Sequence, residues 1–141
     1  MIYIIFNLYA YVHGQTNAFL YSQKGANALP RNEHIDLTIE RCLVAACVLA
    51  GCFYSLQLAI VELVASALAF SYWHNGSYNI MRARIKGEDT DLRDVRSFYW
   101  RYQSPTSSAW LEFAYKPRRN MFYASLLLLI AAYCLHFRVL A

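Results

Sequence analysis

Polar and apolar positions in this chain alternate on the scale of whole segments rather than single helical turns. Four stretches hold no Asp, Glu, Lys or Arg: 1–23, 42–61, 63–81 and 120–137, of 23, 20, 19 and 18 residues. A helix rises about 1.5 Å per residue, so about 20 residues match a hydrocarbon layer of roughly 30 Å. A helix on the rim of a packed core carries charge on its outer face about every turn, and these stretches carry none. The pattern predicts an all-α, polytopic integral membrane protein built as a four-span helical bundle, with three spans as the alternative.

The alternative arises at Ile39–Trp73. Read as one straight helix, residues 42–73 extend about 48 Å, too long for one span and slightly short for two. No Pro or Gly marks a break near "YSLQLAIVE". The placement of positive charge favours two helices. With four spans, twelve of the thirteen Lys and Arg fall on one side, leaving Arg138 opposite; with three spans the division is nine to four. Positive residues concentrate on the cytoplasmic side of membrane proteins. The expectation is therefore one transmembrane domain over 1–141, with spans at about 2–22, 38–55, 58–79 and 120–138. Both termini then lie outside a plasma or inner membrane, and 82–119 forms a basic cytoplasmic segment. Ala46 with Ala50, and Ala65 with Ala69, supply small residues for close helix packing.

Composition agrees with this expectation. The chain is 58% apolar and 16% charged, with twelve Tyr, against roughly 25% charged residues in an average soluble domain. The start, "MIYIIFNLYAYVHG", has no basic region and no small-residue cleavage site, so it reads as a retained segment rather than a signal peptide.

Within 82–119, "GEDTDLRDVRSFYWRY" reads as a short helix capped near Thr90 or Asp91, with acids early and Arg late. "QSPTSS" ends it, and "AWLEFAY" and "KPRR" lead into the last span. Tyr99, Trp100, Tyr102, Trp110 and Tyr115 are interleaved with Arg, a pattern that suits single-stranded nucleic acid. It also suits a lipid headgroup layer, and net charge +4 with long apolar segments favours the lipid. Nucleic acid is thus not the expected partner. Cys42, Cys47, Cys52 and Cys134 contain no C-x-x-C pair and read as small buried apolar residues.

The chemistry-bearing candidates are polar residues inside apolar stretches. His13 and Asn17 are four apart and share a helix face, and Gly14 between them permits close approach of another helix. His34, Glu40, His74 and Asn75 complete a polar cluster at the cytoplasmic end of the expected bundle. Such a cluster suits ligand binding or proton movement, since His titrates near neutrality. A divalent metal is the implied cofactor, with His13, His34, His74 and Glu40 as its candidate ligands. Glu62 stands apart as the candidate pore or coupling residue. The plainer reading weighs more: "HNG" as a helix terminus ending at Gly76, Glu40–Arg41 as a surface ion pair, and His13 and Asn17 as helix-to-helix hydrogen bonds.

Three functions follow from the membrane expectation. The first is a channel or transport component, or an accessory subunit, working by assembly with itself or another membrane protein. The second is a membrane-embedded enzyme using the His/Glu/Asn cluster for metal or proton chemistry. The third is a pore-forming lysis protein. No catalytic motif decides among them, and the balance leans away from an enzyme.

Overall fold

A computed structural model describes residues 1–25, 33–52, 55–102 and 114–140. The described residues form five helices: α1 (Ile2–Lys24), α2 (Glu33–Cys52), α3 (Leu56–Ile85), α4 (Phe98–Arg101) and α5 (Tyr115–Leu140). The 30-residue α3 is the central element, packed against α1, α5 and α4, while α2 leans on α1. The stretch Ile39–Trp73 is divided between α2 and α3, with Ser55 in extended conformation ahead of α3.

The α1–α3 seam closes at Gly14, which meets His74 and Ser77 of α3. Ile2, Phe6, Ala10, Gly14 and Ala18 recur every four positions on the buried face of α1, and α3 buries Ala59, Ala65, Ser66, Ala69 and Ser77 among its neighbours. A side chain at Gly14 would run into the His74 carbonyl oxygen and the Ser77 hydroxyl, so only glycine permits this approach. Ala65 and Ala69 are fully buried, whereas Ala46 and Ala50 of α2 are exposed.

A second layer forms where the chain after α3 folds back. Trp100 of α4 is 1% exposed and packs with Tyr72 and Ile80, flanked by Tyr11, Leu92 and Phe122. Tyr72 stacks on Phe122 with centroids 4.6 Å apart. The Trp100 indole occupies the space that a side chain at Gly76 would need. Gly76 is therefore a packing glycine, and α3 continues past "HNG" to Ile85 instead of ending there.

This arrangement corrects the expectations for the segment after α3. Asp91 and Asp94 do not open a helix; each accepts the backbone N–H two residues on, from Arg93 and Arg96, and so makes a turn. The cap belongs to Ser97, whose hydroxyl accepts the Trp100 N–H at 3.1 Å. Tyr11 donates to the Leu92 carbonyl at 2.7 Å, tying the segment to α1. "QSPTSS", Trp110 and "AWLEF" lie outside the described residues.

The four-span membrane bundle is not upheld, and neither is the three-span form. Among the described residues one helix, Leu56–Ile85, is long and apolar enough to cross a membrane, a test that the central helix of a packed bundle also meets. Freedom from charge proved a poor measure of apolarity. α1 carries Asn7, His13 and Asn17 on its buried face, α2 opens with Glu, Asp, Glu and Arg, and α5 opens with Lys and two Arg. Among the described residues the findings support an all-α, five-helix bundle held by long-range packing. The bilayer partner, the two-sided placement of termini and loops, and the channel, accessory-subunit, membrane-enzyme and lysis readings fall with the span assignment. The cysteines are corrected as well: Cys42, Cys47 and Cys134 are exposed free thiols, not buried apolar residues.

Candidate functional site

Three helices bring polar side chains to one place. α1 supplies Tyr9, His13 and Asn17, at four-residue spacing on one face. α2 supplies Glu40 and Arg41, and α3 supplies Phe70, His74 and Asn75. The His13 and His74 rings face one another with centroids 5.2 Å apart.

The Glu40 carboxylate bridges two residues of α1. Oε1 accepts from the Tyr9 hydroxyl at 3.1 Å, and Oε2 lies 3.2 Å from His13 Nε2. Because a carboxylate only accepts, Nε2 carries the proton of a neutral His13. Its other nitrogen, Nδ1, is buried with no hydrogen-bond partner among the described residues. Tyr9 stacks on the His13 ring at 5.2 Å. Burial pushes the His13 pKa below its ordinary value, Glu40 opposes that shift, and Arg41 adds to it. Burial, reinforced by Glu40, also raises the Tyr9 pKa, so Tyr9 stays a donor.

His74 lies between two side-chain amides. Asn17 Nδ2, a donor, lies 3.3 Å from Nε2, so Nε2 accepts. Nδ1 donates to Asn75 Oδ1 at 3.0 Å. The two amides therefore fit a neutral imidazole with its proton on Nδ1. Burial lowers the His74 pKa to about 4; the Asn75 hydrogen bond opposes the shift, while His13 and Arg41 extend it. Phe70 covers one face of the ring at 5.3 Å, and the Arg41 guanidinium lies 4.6 Å from the Phe70 centroid.

Five of the six residues expected to cluster thus meet: His13, Asn17, Glu40, His74 and Asn75. The side chain of His34 lies outside the described residues. Sequence reading missed Tyr9 and Phe70, although each stands four residues before a cluster histidine, the spacing that places side chains together on a helix. It also paired Glu40 with Arg41, whereas Glu40 turns to α1 and Arg41 to Phe70.

The metal reading is corrected. No three His, Cys, Asp or Glu side chains among the described residues converge to hold a metal ion. Three of the four imidazole nitrogens of the pair are taken, His13 Nε2 by Glu40 and both His74 nitrogens by Asn17 and Asn75, which leaves His13 Nδ1 alone and short of a ligand set.

Glu62 sits elsewhere, at the start of α1, and is 1% exposed. Its carboxylate accepts from the Met1 amino group at 2.9 and 2.8 Å, from the Tyr3 N–H at 2.8 Å and from the Tyr133 hydroxyl. Met1 offers no capping side chain, so a carboxylate from α3 satisfies donors at the positive end of α1. This joins α1, α3 and α5. Glu62→Gln removes the negative charge and turns one accepting oxygen into a donor, and is expected to lower stability by about 2 kcal/mol, read from denaturant midpoints. An unchanged midpoint would contradict the capping role.

No family model matches the chain, and no curated protein or solved structure matches it either.

Proposed function

We propose that this chain is a proton-responsive helical module in which the His13–His74 pair senses pH and governs how α1 and α2 sit against α3. The observation that supports it is the pairing itself. Two imidazoles from different helices, His13 buried and His74 partly buried, face each other at 5.2 Å, each with its pKa held below the ordinary histidine value.

The groups around the pair give protonation opposite consequences on its two sides. Facing His13 are Tyr9 from α1, Glu40 and Arg41 from α2, and His74 from α3. A second proton on His13 turns the Glu40 contact into an ion pair and strengthens the hold on α2. Facing His74 are Asn17 and His13 from α1, Asn75 from α3, and Arg41 from α2. A proton on His74 Nε2 sets a donor against the Asn17 amide and a second positive charge beside His13. The α1–α3 seam loosens at its tightest point, beside Gly14, while α2 stays with α1.

Imidazole NMR titration tests this reading. Both rings are expected to titrate below the ordinary range, with His74 near pH 4, and the Asn17 side-chain amide is expected to shift with His74. Glu40→Gln is expected to lower the His13 pKa further, because Glu40 is the group that raises it. Two ordinary, independent titrations, or α1 amide signals indifferent to His74 protonation, would overturn the proposal.

A further inference from the structure

The cations and aromatic rings after α3 build a site that the pH-responsive pair does not use. The last turns of α3 carry Asn79 and Arg82, with Lys86 at its C-cap, and the chain returning through α4 brings Phe98, Tyr99 and Tyr102 beside them. Between them lies a cavity of about 220 Å³. A water molecule occupies about 30 Å³ and drug-sized sites begin near 300 Å³, so the space takes one ring system while the rest of a larger ligand lies along the exposed rim at Arg82 and Lys86.

The walls divide by chemistry. Arg82, in the last turn of α3, and Lys86, its C-cap, are exposed and lie four residues apart at the same end. The opposite wall is aromatic. Phe98 is 72% exposed and Tyr102 is 40% exposed, with ring centroids 6.2 Å apart, and Tyr99 stands edge-on to Phe98 at 5.7 Å. An aromatic ring this exposed offers its face to a planar ligand. Asn79 Nδ2 donates to the Tyr102 carbonyl at 2.7 Å, pinning the end of α4 to α3 and leaving Oδ1 as an acceptor. The Glu88 carboxylate faces the Tyr99 hydroxyl and supplies a second acceptor at the rim. The floor is firm, because Trp100 anchors α4 in the core.

We propose that this cavity binds a nucleotide unit, with the base stacked on Phe98, the Tyr102 ring inclined at 57° against its edge, and the phosphate held by Arg82 and Lys86. Asn79 and Glu88 accept hydrogen bonds from the base edge or the sugar. Aromatic faces beside cations form the usual platform for an unpaired base and its phosphate. A free mononucleotide and one unit of a single strand present this same chemistry.

Titrating the intact chain with AMP, adenosine and a fluorescein-labelled oligo(dA) of 15 residues tests the site by NMR shift and anisotropy. AMP is expected to bind and to shift the Phe98, Tyr102 and Arg82 signals, with adenosine at least tenfold weaker. Phe98→Ala, and separately Arg82→Glu with Lys86→Glu, are expected to weaken AMP at least tenfold. All three positions are exposed, so circular dichroism and Tm are expected to stay at wild-type values. Oligo(dA) binding tighter than AMP, with salt-dependent affinity, identifies a single strand as the source; binding no tighter than AMP identifies a free nucleotide. The proposal is overturned if neither AMP nor oligo(dA) binds, if adenosine equals AMP, or if the variants bind like wild type.

Discussion

Acidification from pH 7 to pH 4 is expected to lower the stability of the fold by up to about 3 kcal/mol through His74 alone. The sign follows from the direction of the shift. The folded state holds the His74 pKa at about 4, below its ordinary value of 6.5. Between those values the unfolded chain binds the proton and the folded chain does not, so stability is full above pH 6.5. It is lost as the pH falls through that window, and levels off below pH 4. His13 acts in the same direction, since burial also lowers its pKa. A loss of this size corresponds to a Tm lower by about 10 °C in a chain of this length. Thermal melts from pH 7 to pH 4, compared with His74→Gln, provide the measurement. Gln keeps an acceptor for Asn17 but has no proton to gain, so its melting curve is expected to flatten across the window. Parallel losses in wild type and variant would remove His74 as the cause.

Gly14→Ala is expected to lower stability by about 3 kcal/mol, the upper range for forcing volume into a packed seam. The added Cβ meets the backbone carbonyl of His74 and the Ser77 hydroxyl. Backbone cannot rotate aside as a side chain can, so α1 and α3 must separate. Separation also stretches the Asn17–His74 contact one turn along the same face. The variant is therefore expected to lose part of the acid sensitivity along with stability. Gly51→Ala serves as the comparison. Its Cβ meets nothing within 4 Å, and replacing a helical glycine with alanine stabilises by roughly 0.5–1 kcal/mol. If both variants melt alike, close packing at Gly14 does not hold the bundle together.

Much of the candidate site was legible before the fold. His13 and Asn17 share a face because any helix through residues 2–22 puts them there. Glu40, His74 and Asn75 stood out as polar groups among apolar ones, and such groups need partners. Their pairing was not legible. Nothing local shows that Glu40 turns away from Arg41 to reach Tyr9 and His13, or that Asn17 meets His74 rather than Asn75 alone. The termination expected at Gly76 failed for a related reason. Glycine after "HN" reads equally as a helix end or as space for a neighbour, and the neighbour, Trp100, lies 24 residues further along the chain.

The sequence by itself determined that the chain is helical, that Gly14 admits a close neighbour, and that several polar side chains must find partners, while of its two small-residue pairs only Ala65 with Ala69 is buried. Tertiary structure decided what those helices face. A stretch without charge has the same length whether it crosses lipid or packs on other helices, so the pattern that predicted four spans carries no information about its surroundings. What separates the two is where Asn7, His13, Asn17 and Glu62 point and which groups answer them. Hydrogen bonding between segments 27 to 61 residues apart is a property of their meeting, and no single segment contains it.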